Sequence, residues 1–260
     1  MLNELNGMKV TLLGTGTSQG VPVIACKCEV CHSIDDKDKR LRSAIMIEEG
    51  STRVIVDVGP DFRQQMLRHK VDNIDAILLT HEHADHIFGL DDIRSFNWIR
   101  KSAMDVYCET RVQNNLKSIF NYVFEIQKYP GTPQMNLIDL DSQIVTIGSL
   151  TVLPIRVYHY QLPVYGFRVG NFAYLTDFNS IEDHELAKLA GVEILVICAL
   201  RKTSHISHLN LAEAIDLIQK IKPRKAYLTH MSHEMGKHQD LLAELPDHIE
   251  PGFDGLIIDL

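Results

Sequence analysis

The sequence contains no hydrophobic run long enough to cross a membrane. Apolar stretches such as ILVICAL at 194–200 are far shorter than the roughly 20 residues that a membrane-spanning helix needs. The opening residues, MLNELNGMKV, also lack the basic start and apolar segment of a signal peptide. From these two absences we expect a cytoplasmic protein that does not contact a membrane.

An excess of basic charge is also missing. The chain has 26 Lys and Arg residues against 34 Asp and Glu residues, so its formal net charge is −8. Proteins that bind nucleic acid usually present a basic face, so this balance argues against a nucleic-acid partner. The 45% of hydrophobic residues is that of an ordinary globular protein, and we expect a small molecule as the partner.

Cysteine is scarce, and the five cysteines are unevenly placed. Because no export signal is visible, we expect reduced thiols, which favour metal binding over disulfides. Cys26, Cys28 and Cys31 lie in the short segment ACKCEVCHS, whereas Cys108 and Cys198 lie in apolar runs typical of core strands. A closed zinc site needs four ligands, so the segment by itself lacks one.

The chain also lacks internal repeats, low-complexity segments and Pro/Gly-rich linkers, so we predict one domain over residues 1–260. The predicted strands are 8–14, 43–49, 52–59, 76–80, 104–108, 143–148, 150–159, 165–169, 171–177, 193–200 and 225–230. The predicted helices are 61–70, 110–124, 181–190 and 209–221, and 87–101 is predicted as helix or ordered loop. Strand clusters interleaved with helices suggest two packed sheets with helices outside.

The segment THEHADHIFGL at 80–90 carries the strongest functional signal. It places His81, His83, Asp85 and His86 directly after a predicted strand, where a turn can direct side chains into a cleft. Imidazole and carboxylate groups suit zinc, manganese or iron. The four donors are too close in sequence to surround one ion easily, but they can divide between two neighbouring ions.

This pattern, H-x-H-x-D-H after a strand, resembles the signature of the metallo-β-lactamase superfamily. Within it the chain is most similar to the cyclic-phosphate phosphodiesterases of the carbon–phosphorus lyase pathway, with ribonuclease Z as a more distant relative. The matching segments are GTGTSQGVPVIACKCEVC near the start, LTHMSH at 228–233 and the closing GFDG. The resemblance implies an α/β fold, an αββα sandwich of two mixed β-sheets flanked by helices, with the metal site at one edge.

The resemblance also implies two catalytic divalent ions, Zn²⁺ or Mn²⁺. The implied ligands are His81, His83 and His159 for one ion, Asp85, His86 and His230 for the other, and Asp177 for both. Two such ions can hold a hydroxide and the oxygens of a phosphate, so that water attacks phosphorus in line. Asp57, at the end of a predicted strand, could orient a ligand imidazole, but a turn or capping role fits it equally well.

A departing alkoxide needs a proton or a positive neighbour. In the resembling enzymes a histidine that is not a metal ligand serves this end from the loop before the penultimate helix, and this loop here contains His205 and His208. His208 fits better because it lies immediately before the helical pattern, but a slightly different loop length keeps His205 open. We take His208 and the ligand Asp85 as candidate catalytic residues. Arg94 could meet a substrate phosphate, although a structural or solvated role fits it better.

The resemblance further implies one structural Zn²⁺ in a small cysteine-rich loop at about 20–33. The first three ligands would be Cys26, Cys28 and Cys31. His32 is a weak candidate for the fourth ligand, because it directly follows a cysteine and adjacent side chains rarely converge on one ion. In the resembling phosphodiesterases the position of His233, in LTHMSH, completes the site.

The favoured function is therefore hydrolysis of a small cyclic or nucleotide-like phosphate diester by a metal-bridging hydroxide. Processing of tRNA 3′ ends, as in ribonuclease Z, stays open, although the acidic charge and the lack of a long Gly/Pro-containing arm argue against it. Thioester hydrolysis of the glyoxalase II type shares the metal ligands and also stays open. A zinc-stabilised binding module is disfavoured by the complete ligand set with its spare histidine. The sequence leaves the oligomeric state open, including a homodimer.

Overall fold

The computed structural model of the protein describes residues 7–127 and 129–260, so most of the opening segment that lacks signal-peptide features lies outside it. The strands are β1 (Lys9–Gly14), β2 (Ala44–Glu49), β3 (Thr52–Val56), β4 (Ala76–Leu78), β5 (Met104–Cys108), β6 (Met135–Asp139), β7 (Val145–Ile147), β8 (Leu150–His159), β9 (Leu162–Val169), β10 (Phe172–Leu175), β11 (Ile194–Cys198), β12 (Lys225–Thr229), β13 (Ile249–Pro251) and β14 (Ile257–Asp259).

The helices lie between the strands in both halves of the chain. They are α1 (Phe62–Arg68), α2 (Ala84–Ile87), α3 (Arg94–Arg100), α4 (Thr110–Ile119), α5 (Asn121–Phe124), α6 (Asp183–Leu186), α7 (Leu211–Ile221) and α8 (His238–Glu244). Short 3₁₀ turns lie at Asp36–Asp38, Leu90–Ile93, Ala187–Leu189 and His233–Met235. Among the residues that the structure describes, no helix is both long enough and apolar enough to cross a membrane.

The strands form two seven-stranded sheets, and both sheets are mixed. The first has the order β14-β1-β2-β3-β4-β5-β6, with parallel pairing from β3 to β6. The second has the order β13-β12-β11-β10-β9-β8-β7, with parallel pairing from β10 to β13. Because parallel strands end at the same edge of a sheet, the residues that follow them are gathered there, which is where ligands bind in open α/β sheets.

The core has three layers because successive side chains of a strand point to opposite faces. Val54 and Val56 of β3 lie in the layer between the sheets, where Phe167 and Tyr174 of the second sheet also pack. Ile55 lies on the opposite face, in the layer under α1, α3 and α4. Helices α7 and α8 cover the outer face of the second sheet. The expected αββα sandwich is therefore confirmed.

Helix α7 begins at a capping box that fixes the end of the preceding loop. The Asn210 side chain accepts a hydrogen bond from the backbone N–H of Glu213 (3.0 Å), and the Glu213 carboxylate accepts one from the backbone N–H of Asn210 (2.9 Å). The buried residues Leu217 and Ile218 hold the helix on the second sheet. His208 lies just before this cap, so the start of α7 limits where its side chain can go.

Most predicted elements are present with shifted ends, but some observed elements, including α8, are not among the predicted ones. The helix predicted over 110–124 is broken into α4 and α5 at Phe120, whose φ of −105° and ψ of 42° are not helical. The helix predicted over 181–190 is a single turn, α6, followed by a 3₁₀ turn. Segment 87–101, predicted as helix or ordered loop, contains a 3₁₀ turn and then α3. Strands β6, β13 and β14 are not among the predicted strands.

Candidate metal centre

Histidine and aspartate side chains gather where strands of both sheets end. They are His81 and His83 between β4 and α2, Asp85 and His86 within α2, His159 at the end of β8, Asp177 after β10 and His230 after β12. The first sheet supplies the residues before position 87, and the second sheet supplies the others. The fold thus brings together all the side chains predicted as catalytic metal ligands.

Asp177 lies at the centre of this cluster. Three sets of potential ligand atoms, each with its members within 4.8 Å of one another, contain this residue. The sets are Asp85, His86, Asp177 and His230; His81, His83 and Asp177; and His159, Asp177 and His208. A carboxylate common to neighbouring sets has the position that a bridging ligand needs. His159 falls in a set with His208, although its ring lies 5.2 Å from that of His83, so the division of ligands between two ions stays a prediction.

The buried ring nitrogens of the site fit divalent metal ions. His81 Nε2 and His86 Nε2 are buried and have no hydrogen-bond partner among the described residues. Asp177 Oδ2 lies 3.3 Å from the first and 2.7 Å from the second, but without the geometry of a hydrogen bond. Buried polar atoms normally have a partner, and imidazoles around a carboxylate are a donor set that suits a transition metal.

Asp57 and Thr80 orient two of these histidines. Asp57 Oδ2 lies 2.6 Å from His86 Nδ1, and the Asp57 carboxylate accepts hydrogen bonds from the backbone N–H and the hydroxyl of Thr80, each at 2.9 Å. The Thr80 hydroxyl also lies 2.9 Å from His81 Nδ1. Because Nδ1 of both rings is engaged, Nε2 faces the centre of the site, as in metal sites whose histidines are held by an outer carboxylate. Of the roles left open for Asp57, the structure shows the contact with an imidazole.

Three residues of the site have left-handed backbone conformations. Their φ angles are 66° at Asp57, 54° at Asp177 and 57° at His230. This region is rarely occupied by residues other than glycine, and such strain persists where surrounding contacts hold it, often at functional sites. Each of the three residues directly follows or closely follows a strand, so the left-handed turn directs its side chain into the cluster.

Charge compensation keeps the central carboxylate ionised. Burial alone would raise the pKa of Asp177, but His230 and the other contacting histidines outweigh it and hold that pKa well below its usual value. Burial alone would lower the pKa of His86, but Asp85 and Asp57 outweigh it and raise that pKa well above its usual value. An ionised carboxylate is the form that binds a cation.

His208 lies beside the cluster, and His205 lies behind it. His208 Nε2 is 2.6 Å from Asp177 Oδ1, and its ring lies 4.4 Å from that of His159. The other nitrogen of His208, Nδ1, lies 3.0 Å from Nδ1 of His205. The carbonyl oxygen of Ser207 lies 2.8 Å from His159 Nδ1, so the same loop also holds a predicted ligand. Of the two loop histidines, His208 has the better position to reach a substrate.

The cysteine segment meets the loop after β12. His233 Nδ1 lies 3.3 Å from the Sγ atoms of both Cys26 and Cys28 and 3.6 Å from that of Cys31. These four residues form one potential ligand set, and exposed His32 lies outside it. The backbone N–H of Cys31 is the main cause that lowers the pKa of Cys28 to about 6, which favours the thiolate that binds metal. Zinc binding at this set stays a prediction.

Arg94 has partners of its own. Its Nε donates to the carbonyl oxygen of Asp91 (3.0 Å), its guanidinium pairs with the Asp91 carboxylate, and that carboxylate also accepts a hydrogen bond from the Tyr122 hydroxyl. These contacts agree with the structural role. No sequence pattern indicates Ser43, whose hydroxyl lies 3.2 Å from Nδ1 of His230 and 187 positions from it in the chain. A serine so far from His230 in the sequence forms no recognisable motif with it.

Comparison with known proteins agrees with this geometry. A family model described as "Beta-lactamase superfamily domain" matches residues 52–231, a range that holds every predicted ligand of the catalytic centre. The chain belongs to the metallo-β-lactamase superfamily of metal-dependent hydrolases. A crystal structure of a diphosphatase from the PhnP family is 37% identical in sequence, with 97% of each chain covered and a TM-score of 0.92. Within the superfamily this chain therefore lies close to that family.

Two curated relatives of this superfamily member carry different names. An octanoyltransferase of Porphyromonas gingivalis strain W83 is 42% identical over 257 residues, which are 97% of this chain and 52% of that protein. A ribonuclease Z of Staphylococcus epidermidis is 27% identical over 169 residues, which are 62% of this chain and 49% of that protein. The chain thus spans about half the length of the curated relatives it matches.

Proposed function

We propose that the chain is a phosphodiesterase that hydrolyses a small cyclic or nucleotide-like phosphate diester with two bound divalent ions, Zn²⁺ or Mn²⁺. The observation that carries the proposal is the position of Asp177, which belongs to three donor sets and contacts His208. The similar structure named a diphosphatase supports chemistry at phosphorus.

The proposed roles divide between the metal ligands and their surroundings. When bound, two divalent ions would supply an activated water and hold phosphoryl oxygens. Asp57 and Thr80 hold imidazole rings in place through Nδ1. His208 faces the same space through Nε2, so it can give a proton to the departing alkoxide or contact a phosphoryl oxygen.

Acyl transfer, suggested by the name of one relative, finds little support in the cysteines of this chain. A covalent thioester would need an exposed, nucleophilic thiol. Cys108 and Cys198 are buried, and burial raises the pKa of each to about 12. The remaining three cysteines gather around His233. The name of this relative therefore suggests a rival substrate for the same site. That substrate would be an octanoyl thioester, hydrolysed with the help of the same metal ions.

A substrate panel tests the proposed function. The metal-loaded protein would be assayed with bis-p-nitrophenyl phosphate, a cyclic ribose phosphate, a nucleoside diphosphate ester, an octanoyl thioester and a precursor tRNA. We expect turnover of the phosphate esters and loss of both metal content and rate in Asp177→Ala. Turnover of the thioester or of the precursor tRNA that is faster than turnover of the phosphate esters would overturn the proposal. Full activity of the protein after removal of its metal ions would also overturn it.

The partners follow from the same proposal. We propose a small phosphate ester as the substrate and the cytoplasm as the location. We also propose that the protein can form a homodimer, which sedimentation at several protein concentrations would test. The net charge of −8 supports a small ligand over a long polyanion.

A further inference from the structure

Arg111, in α4, joins two parts of the chain that are far apart in sequence. Its guanidinium donates hydrogen bonds to the carboxylate of Glu82 and to the carbonyl oxygen of Pro163, the latter at 2.7 Å. The Arg111 side chain is 32% exposed and that of Glu82 is 15% exposed, so the contact is partly shielded from water. Neither Arg111 nor Glu82 belongs to the donor sets of the metal centre.

Both contacts of Arg111 lie next to proposed metal ligands. Glu82 is the residue between His81 and His83. Pro163 lies at the start of β9, whose ladder with β8 ends at His159. Arg111 therefore spans from the loop with two imidazoles to the hairpin with the third, and these are the three histidines proposed for one ion.

The surroundings of Arg111 hold its guanidinium in place. Arg111 Nη2 lies 3.5 Å from a carboxylate oxygen of Glu109, and Arg156 donates to the same carboxylate at 3.0 and 2.5 Å. The Arg156 guanidinium in turn stacks 3.7 Å from the centre of the Tyr165 ring. Asn115 donates a second hydrogen bond to Glu82 at 3.3 Å. This network restrains the Arg111 guanidinium and the Glu82 end of the bridge that Arg111 makes.

Two histidines proposed for the other ion are held by contacts that do not involve Arg111. His86 is held through Nδ1 by Asp57, and His230 is held through Nδ1 by Ser43. Neither support contacts Arg111 through the hydrogen bonds that the described residues make. Loss of Arg111 should therefore act unequally on the two ions.

We propose that Arg111 is a positioning residue that aligns His81 and His83 with His159, through Glu82 and the Pro163 carbonyl, for one of the two ions. This inference rests on the proposed two-metal site. The guanidinium presents its donors in a rigid fork that matches two oxygen acceptors at once, which a lysine ammonium does not. Loss of an outer group that orients metal ligands typically costs about 10–100-fold in metal affinity.

The test measures zinc binding to the metal-free protein, with zinc ions alone as the probe. Arg111→Leu should keep the structural zinc and one active-site ion at wild-type affinity, and should bind the other ion about 10–100-fold more weakly. Arg53→Leu is the matched control, because Arg53 also bonds two carboxylates, Glu48 and Asp72, and one carbonyl oxygen, at 28% exposure. Arg53→Leu should lose comparable thermal stability and no zinc affinity.

Two variants of Glu82 test the same inference even if Arg111→Leu does not fold. Glu82→Ala should weaken the same ion, whereas Glu82→Gln keeps an oxygen acceptor for Arg111 and should recover most of the affinity. Equal zinc affinities in wild type, Arg111→Leu and Glu82→Ala would overturn the inference and leave the metal centre standing. A wild-type protein that takes up no active-site zinc would overturn the metal centre itself.

Discussion

At the scale of single residues, replacement of His208 should distinguish metal binding from proton transfer. Its Nε2 contacts Asp177, but a loop held by the α7 cap carries it, outside the strand ends that bear the ligands. We expect His208→Ala to keep both active-site ions and to lose about 10²–10⁴-fold in rate on alkyl phosphate diesters. Metal analysis and steady-state rates of the same preparation would measure the two effects.

The leaving group and His205 provide the controls for this prediction. A diester that releases p-nitrophenolate needs less help from an acid, so His208→Ala should affect it less. His205→Ala should lose less rate than His208→Ala, because His205 contacts the ring of His208 from behind. A loss confined to His205→Ala would show that the roles of the two histidines are reversed.

His238 gives a prediction about stability and pH. Its side chain is buried and packs edge-on against Phe253, and burial, with the charges of Arg40 and Lys37, lowers its pKa to about 4. The unfolded chain therefore takes up a proton near pH 6.5 that the folded protein does not accept until about pH 4. Stability falls as the pH falls through this window, by at most about 3 kcal/mol from this residue.

Replacement of His238 isolates this contribution. In His238→Gln the free energy of unfolding should fall less steeply between pH 6.5 and pH 4 than in the wild type, as measured by urea unfolding at each pH. The control is His248→Gln, which makes the same substitution at an exposed histidine. Parallel curves for wild type and His238→Gln would contradict the prediction.

At the scale of elements, the cysteine loop should act as a zinc clip on the loop after β12. His233 lies three residues after His230, a proposed ligand of the catalytic ions, and the backbone N–H of Thr17 donates a hydrogen bond to the carbonyl oxygen of Met231 in this region. We expect three zinc ions in the wild type and two in Cys28→Ser or His233→Ala, with the active-site ions retained.

Loss of zinc from the cysteine loop should reduce the stability of the protein more than its reaction rate. Loss of its zinc should lower the unfolding midpoint first, because a structural zinc site contributes directly to folding. Cys108→Ala is the control: Cys108 is buried in β5, so its loss should cost packing but no zinc. Three bound ions in His233→Ala, or a zinc bound through His32, would contradict the assignment of His233 as the fourth ligand.

The parts of the fold that sequence patterns predicted are those with strong local signals. Strand β11 is apolar throughout and α7 has a capping box with apolar residues at helical spacing, and both agree with the predicted elements. Strand β6 is a half-exposed edge strand, and β13 and β14 have three residues each, so no clear periodicity marks them. Their pairing depends on the neighbouring strand, which is information from tertiary structure.

The candidate site also combines residues with local sequence signals and residues that only the tertiary structure brings together. The H-x-H-x-D-H segment is local, and the other ligands were expected from the family resemblance at strand ends. The left-handed turn at Asp177, the hydroxyl of Ser43 and the bridge through Arg111 depend on residues brought together only by the packed sheets. No spacing in one sequence contains those contacts.

At the scale of the whole molecule, the candidate metal centre lies across the junction of the two sheets. His81, His83, Asp85 and His86 come from the edge of the first sheet, and His159, Asp177 and His230 come from the edge of the second. Below them the two sheets share one apolar layer, which includes Val56 and Phe167. Bound ions would therefore join two halves that otherwise adhere through this layer, and metal binding should stabilise the molecule as a unit.

This arrangement predicts how metal removal changes unfolding. Ions that bind only the folded chain stabilise it by about 2.7 kcal/mol at a free concentration 100 times the dissociation constant, or about 5–10 °C in the midpoint for a domain of this size. We expect calorimetry to show one transition with and without a chelator, at a lower temperature with it. In His233→Ala, which should lack the structural zinc, the chelator should still lower the midpoint through the active-site ions. An unchanged midpoint in that variant, or separate transitions for the two halves, would show that the active-site ions do not hold the two sheets together.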